Sequence, residues 1–342
     1  MEALIQSGDV DALVALAASA DPGLAKAARK GLHLLRSRGV ATPDVPARAG
    51  REAPGPRERP TGDEWPSLAT SSDGSGERLV WLMRGHSEGP NVFQARIHEI
   101  QGLLDFDSAH WSHRQMRSMS RDLLSMDELP CAQIPTDYAH WLIEEAWERT
   151  SAARRAPPPG FVRARADLRA APRRYNEHPA PAEVAAGLAG EAEMTELFGA
   201  TVCSGWYPEA EVLERFALRV DEIATSRLLV NDAQRSEQEQ VAVRRAVSEY
   251  FTAECRARYA RRLLDAAYIL LRARGPEGRL AGTLRAAADA LADAERDVEQ
   301  QPFALGLFAR CLRPKDDDHV DRSSARLVRD ASSGLLLPTP RS

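Results

Sequence analysis

Residues 236–312 read SEQEQVAVRRAVSEYFTAECRARYARRLLDAAYILLRARGPEGRLAGTLRAAADALADAERDVEQQPFALGLFARCL, and their apolar positions return every three or four residues in four successive runs. Ser236 with Glu239 has the capping-box spacing, in which each side chain satisfies a backbone N–H that the first helical turn leaves without a partner. Val243, Val247 and Tyr250 form the stripe behind it. Thr252 is the next N-cap, and Cys255, Tyr259, Leu263, Ala266, Leu270 and Ala273 then fall along one side of a 3.6-residue period. Gly275 and Pro276 end that helix, since glycine takes the left-handed conformation of helix ends and proline cannot donate the next helical bond. A third helix carries Leu280, Leu284, Ala287 and Leu291; a fourth starts at Pro302 with Phe303, Leu307, Phe308, Cys311 and Leu312. Connections this short make neighbours antiparallel, so the stripes bury a shared core. Arg256, Arg258, Arg261, Arg262 and Arg272 are expected to coat the outer faces of the second helix, in solvent.

Upstream the period changes to two. Leu79, Trp81 and Met83 alternate with Val80 and Leu82, a turn follows at residues 87–90, and Phe93, Ala95 and Ile97 alternate with Gln94, Arg96 and His98. Leu103 to Phe106 supplies a third strand. Three strands alone are marginal, so helices must cover them. Residues 113–124, with Met116, Met119 and Leu123, and residues 136–149, with Ala139, Leu142, Ile143 and Ala146, have the right sidedness. Residues 181–198 and 208–223 show two more amphipathic patterns. The expected fold class is mainly α with a small antiparallel β-meander (α+β), its C-terminal block an antiparallel helical bundle or solenoid-like array.

The N-terminal stretches DVDALVALA and DPGLAKAARKGLHLLRSRG spell a helix over 9–18 with Leu13 and Leu16 inward, and a second helix to about Arg38 with Leu24, Ala28, Leu32 and Leu35 inward. This pair resembles one repeat of a HEAT or armadillo-type α-solenoid. The resemblance implies a protein-binding surface, some such repeats also touching nucleic-acid backbone, and makes Lys26, Arg29, Lys30 and Arg36 the candidate partner-binding face; an ordinary solvated basic face has the same pattern. Residues 40–76 are rich in proline, glycine, serine and charge, the composition of a flexible linker. The expected organisation is a helix pair at 1–39, a linker at 40–76, meander plus helices at 77–156, an Arg/Pro-rich irregular segment at 157–180, a helical domain at 181–312 and a disordered tail at 313–342.

With 342 residues, 43% of them hydrophobic, the chain can bury a proper core, and a net charge of -5 does not advertise nucleic acid or an anionic membrane. It contains neither a signal-like start nor an apolar run of spanning length, and Cys131, Cys203, Cys255 and Cys311 are too widely spaced for a metal or redox motif, which together suggest a reducing cytoplasm. Candidate chemistry is sparse. His98, His110, His113 and His140 share one region with Asp105, Asp107 and Cys131, but H-W-S-H is not a ligand spacing. Glu144 and Glu148 share a helix face and are expected in solvent; Ser204 has no recognisable activator. No phosphate-binding loop, dinucleotide fingerprint or nucleophile elbow occurs. The expectation is therefore a non-catalytic interaction or scaffold protein with a protein partner, no cofactor and no metal. One alternative is an RNA- or DNA-associated protein using Arg29, Lys30 and the arginines of 154–174. The other is an enzyme whose cleft would gather His98, Glu144 or Cys131.

Overall fold

A computed structural model describes residues 9–17, 27, 28, 30–32, 35, 40, 65–85, 89–126, 129–169, 175, 177–226, 231–273, 276–312, 327–329 and 336–338, and the chain divides into two units, 1–61 and 62–342. In the first unit α1 (Val10–Ala17) opens where Asp9 Oδ1 accepts the Ala12 N–H at 3.0 Å. Leu13 and Ala17 are buried with Ala28, Leu32 and Leu35, while Leu16 is only half-buried. Residues 27, 28, 30–32 and 35 are helical and Lys30 is exposed. Lys26, Arg29 and Arg36 lie outside the described residues, as do Leu24 and residues 41–64.

The second unit is built on a five-stranded antiparallel sheet of β1 (Ser67–Thr70), β2 (Glu77–Arg84), β3 (Asn91–His98), β4 (Gly102–His110) and β5 (Cys131–Ile134), in the order β4-β3-β2-β1-β5. The meander β2-β3-β4 is the expected one. Strand β1 is a correction, for it falls inside 40–76: four residues, SLAT, are too few to show a period among the surrounding Pro, Ser and Gly. Its side-chain hydroxyls extend the pairing, Ser67 Oγ accepting the Met83 N–H and Thr70 Oγ1 the Leu79 N–H, both at 3.0 Å. Both faces of β2 are buried. Leu79, Trp81 and Met83 pack with Met116, Met119 and Leu123 of α2 (His113–Leu124); Val80 and Leu82 pack with Ala139, Leu142 and Ile143 of α3 (Thr136–Ala152). Helix α2 carries its capping box at Ser112 and Gln115.

Residues 157–180 are not all irregular. Helix α4 (Pro159–Arg169) buries Phe161, Ala164 and Leu168, a three-residue stripe that the intervening arginines obscure. The single helix expected over 181–198 is two pieces, α5 (Ala180–Glu183) and α6 (Glu191–Gly199), because Gly187 is drawn out to donate its N–H to Gly282 O at 2.9 Å. Beyond lie α7 (Thr201–Ser204), α8 (Ala210–Thr225), α9 (Asp232–Tyr250), α10 (Ala253–Arg272), α11 (Ala281–Ala292) and α12 (Pro302–Ala309). The cap of α9 is Asn231, whose side chain accepts the Gln234 N–H at 2.8 Å; the helix starts a turn before Ser236, and those extra residues are exposed all round, leaving no stripe to read. Thr252 caps α10 as expected. That helix, packed along α11, is buried on most sides, so its arginines do not lie in open solvent: Arg262 is buried, and Arg256, Arg258, Arg261 and Arg272 are half-buried. The expected disordered tail contains a short antiparallel ribbon, β6 (Leu327–Arg329) with β7 (Leu336–Pro338). Among the described residues no helix is long and apolar enough to cross a membrane.

At the first residue of β4, Gly102 has φ +80°, and a Cβ there would stand 2.4 Å from both Ala146 O and Thr150 Oγ1. Thr150 Oγ1 accepts the Leu103 N–H at 2.8 Å and donates to Ala146 O at 3.0 Å, tying the sheet corner to α3. Gly102→Ala is expected to cost about 2–4 kcal/mol, from the left-handed backbone and the collision together. Urea denaturation measures it, and an unchanged midpoint would mean that this corner is not pressed against α3.

Candidate functional site

An apolar run, LLDAAYILL (residues 263–271), places one carboxylate in the middle of α10, and the fold brings β2, α3 and the segment before α5 to it. Asp265 Oδ1 lies 2.9 Å from Arg78 Nη1 at the start of β2, 3.0 Å from His178 Nε2 in the segment before α5, and 3.2 Å from the Tyr138 hydroxyl in the first turns of α3. Oδ2 accepts from Arg261 Nε, one turn earlier, at 3.3 Å. Arg261 reaches on to Glu145 with a two-pronged bond of 2.9 and 2.8 Å; Arg149 Nη2 stands 2.8 Å from the same carboxylate. The Arg261 guanidinium covers the Trp141 ring at 4.6 Å, and Tyr268 meets Tyr138 edge-on at 4.7 Å.

Burial acts against the Asp265 charge, and the Arg261 and Arg78 guanidinia with the His178 hydrogen bond outweigh it, holding the carboxyl well below its usual range. Burial lowers the His178 pKa despite its bond to Asp265. For Tyr138, burial and then the Asp265 charge push the phenol well up. The Ala180 N–H donates to His178 Nδ1 at 3.1 Å, which puts the proton of the neutral ring on Nε2, facing Asp265. Both ring nitrogens are thereby engaged. A general base needs a free lone pair within reach of substrate, and this histidine has none. The site is a buried ionic knot.

A second knot grips the same helix from the same end of the sheet, where the start of β2 pairs with the end of β3. Arg262 holds both oxygens of Glu99, in the β3–β4 turn, through Nε (2.8 Å) and Nη2, and its guanidinium covers the Tyr259 ring at 4.8 Å and the Trp206 ring at 5.3 Å. Arg258 Nη2 donates to Glu209 at 2.8 Å, and the Tyr250 and Tyr259 hydroxyls lie 3.0 Å apart.

The residues singled out from sequence do not converge. His98 Nδ1 accepts the Ile100 and Gln101 N–H groups, His110 Nδ1 lies 3.1 Å from Asn91 Oδ1, and His113 leans on Trp65. His140 and Glu144 are buried together on α3, 3.9 Å apart; Glu144 is thus not the solvated carboxylate expected, whereas Glu148 is exposed. Cys131 is buried, its thiol pushed up to about 12 by burial, and β5 stands three strand spacings, about 14 Å, from the β3 of His98. Ser204 Oγ donates to Thr201 O. Among the described residues no group of three or more His, Cys, Asp or Glu could hold a metal ion. Neither His178 nor Asp265 is among the candidate site residues that the sequence offers; the signal available for Asp265 is a lone charge inside an apolar helical run.

Comparison with protein-family models, with curated proteins and with solved structures returned no match for this chain.

Asp265→Asn leaves Arg78 buried without its counter-charge and Arg261 with Glu145 alone, and a loss of about 3–5 kcal/mol is expected. The pH dependence has a definite sign. The Asp265 pKa is depressed in the fold, so its contribution is present above the unfolded carboxyl value of about 4 and is lost as pH falls through the folded value; His178, also depressed, weakens the fold as pH falls below about 6.5, where the unfolded ring takes the proton first. Thermal melts of wild type, Asp265→Asn and His178→Gln between pH 8 and 3 test this: each variant should lose its own part of the acid dependence, and identical slopes would refute the assignment.

Proposed function

We propose that this protein is a non-catalytic interaction protein whose partner is another protein. The observation that carries the reading is the state of its densest titratable cluster: Asp265, His178, Arg78 and Arg261 are bonded to one another and buried or half-buried. Such a cluster joins layers; it does not offer a reactive atom. The N-terminal helix pair, separated from the second unit by a long polar stretch, suits a docking module searching at raised local concentration, with Lys26, Arg29, Lys30 and Arg36 as its contact face. Affinity purification of the full chain from native lysate should retain a protein in fixed stoichiometry. Purified, that protein should bind the Lys26→Glu/Arg29→Glu/Lys30→Glu/Arg36→Glu variant at least about tenfold more weakly, roughly 1.4 kcal/mol. Retention of no protein, with a turnover found instead, ends the reading.

A nucleic-acid partner is the second reading, and a different observation favours it. On α2, Arg114, Arg117 and Arg121 recur on one exposed face and, among the described residues, enter no ion pair. Three phosphate contacts predict a fall of affinity with salt of slope about -2 to -3. A gel shift with mixed-sequence RNA should show this dependence and lose it when the three arginines become glutamate; no shift at low salt dismisses the reading.

A further inference from the structure

We infer that a groove between residues 186–189 and the end of α11 binds a short extended peptide bearing lysine or arginine. This rests on the reading of the protein as a docking protein and names the chemistry of one partner segment. The groove has a volume of about 770 Å³ and shares no residue with the ionic knots. Its walls are Gly187 and Leu188 on one side, and Asp289, Asp293, Asp297 and Gln301 on the other. The near wall is held in place: beside the Gly187–Gly282 hydrogen bond the two backbones pack so closely that a Cβ on Gly187 would come within 3.0 Å of Gly282 C. Leu188, on that wall, is 74% exposed, an apolar side chain the fold does not use.

Gln301 identifies the ligand. It is only 4% exposed, yet neither its amide nitrogen nor its amide oxygen has a hydrogen-bond partner. Its backbone is fully used, the N–H donating to Val298 O at 3.1 Å and the carbonyl accepting the Leu305 N–H at 3.0 Å, and its side chain caps nothing at the start of α12. A buried amide with both an open donor and an open acceptor is destabilising unless something fills it. The group that accepts and donates side by side is another amide, the peptide unit, and the Gln301 side chain must turn out into the groove to meet it, since both of its amide atoms are closed to solvent in this structure.

Charge selects the side chains. Three carboxylates line the groove against one guanidinium, Arg296, and Asp293 also stands at the C-terminal, negative end of α11. Their internal bonds leave capacity. Asp289 holds Arg285, Asp293 accepts from Arg296 Nε and the Glu295 N–H, and Asp297 accepts from the Glu299 N–H and Gln300 Nε2, one bond to most oxygens, each of which has two lone pairs. A polyamine would meet the carboxylates but could not donate and accept at Gln301 as a peptide unit does; an acidic peptide would be repelled.

The test titrates the full chain with a labelled, end-blocked degenerate hexapeptide mixture carrying arginine or lysine at two fixed positions, beside the same mixture with glutamate there and beside spermidine. The basic mixture should bind with a Kd of about 10–500 µM. Gln301→Leu should weaken it at least about tenfold while keeping or raising Tm, because it removes only the unsatisfied amide; Asp297→Lys, on the surface, should weaken it as much. The site is overturned if the basic mixture does not bind at about 2 mM, if the glutamate mixture binds equally, or if binding ignores both substitutions. Spermidine binding as tightly as the peptides, indifferent to Gln301→Leu, would reduce the groove to a cation trap and also overturn it. Peptide failure while the full chain still retains a partner protein removes this site and leaves the docking reading intact; failure of both removes both.

Discussion

A carboxylate in the middle of an apolar helix must be neutralised where it stands, and Asp265 imposes that condition on the whole second unit. Taking an ion out of water costs several kcal/mol even after relaxation, so Asp265 is tolerable only if cations and donors meet it with good geometry. They come from four places in the chain: β2, α3, the segment before α5, and the preceding turn of α10 itself. Because the sheet and α3 can meet α10 only where Arg78 and Tyr138 both reach this one carboxylate, the knot sets the register of sheet against helices. Hydrophobic burial supplies most of the stabilisation, but it is non-directional and would accept several rotations of α10. The directional part comes from the charges.

The Glu99 knot acts close beside it, at the same end of the sheet. Glu99 sits in the β3–β4 turn and is gripped by Arg262, next in sequence to Arg261, so of two consecutive arginines one reaches the sheet and the other reaches Glu145 of α3. Gly76, with φ +88°, leaves the space this grip occupies, since a Cβ there would collide with Glu99 and Arg262. Arg261 and Arg262 also lie over aromatic rings, Trp141 for the first and Tyr259 and Trp206 for the second, where a planar, weakly hydrated cation is least costly to bury. Lysine would form the charge pairs and lose the stacking.

Much of the framework was legible in the sequence. The alternation in 79–83 and 93–97 located the meander, Met116, Met119 and Leu123 fixed α2 to the residue, and Thr252 and Pro302 marked true helix starts. What failed has physical causes. Four residues of β1 are too short for a period and are buried on both faces; α4 carries its apolar residues among arginines; the exposed first turns of α9 have no sidedness. The ionic knots were least legible, because a charge opposite a stripe ordinarily faces water, and only tertiary contacts reveal that α10 has almost no watery side. His178 could not be paired with Asp265 from sequence at all: 87 residues separate them.

Two kinds of buried polar group thus carry opposite messages within one core. In the Asp265 knot both carboxylate oxygens and both histidine nitrogens have a partner inside the chain; its meaning is exhausted by the architecture, and it resembles a reactive centre only in composition. At Gln301 the amide is equally shut away but is matched to nothing the chain supplies, beside a hollow lined by carboxylates. Composition alone would rank the two the other way round, since Asp, His, Tyr and Arg are the usual materials of catalysis and glutamine is not. Satisfaction of hydrogen bonds ranks them correctly, because a saturated group has nothing left to offer a ligand, whereas an unsatisfied one is stabilised by whatever completes it.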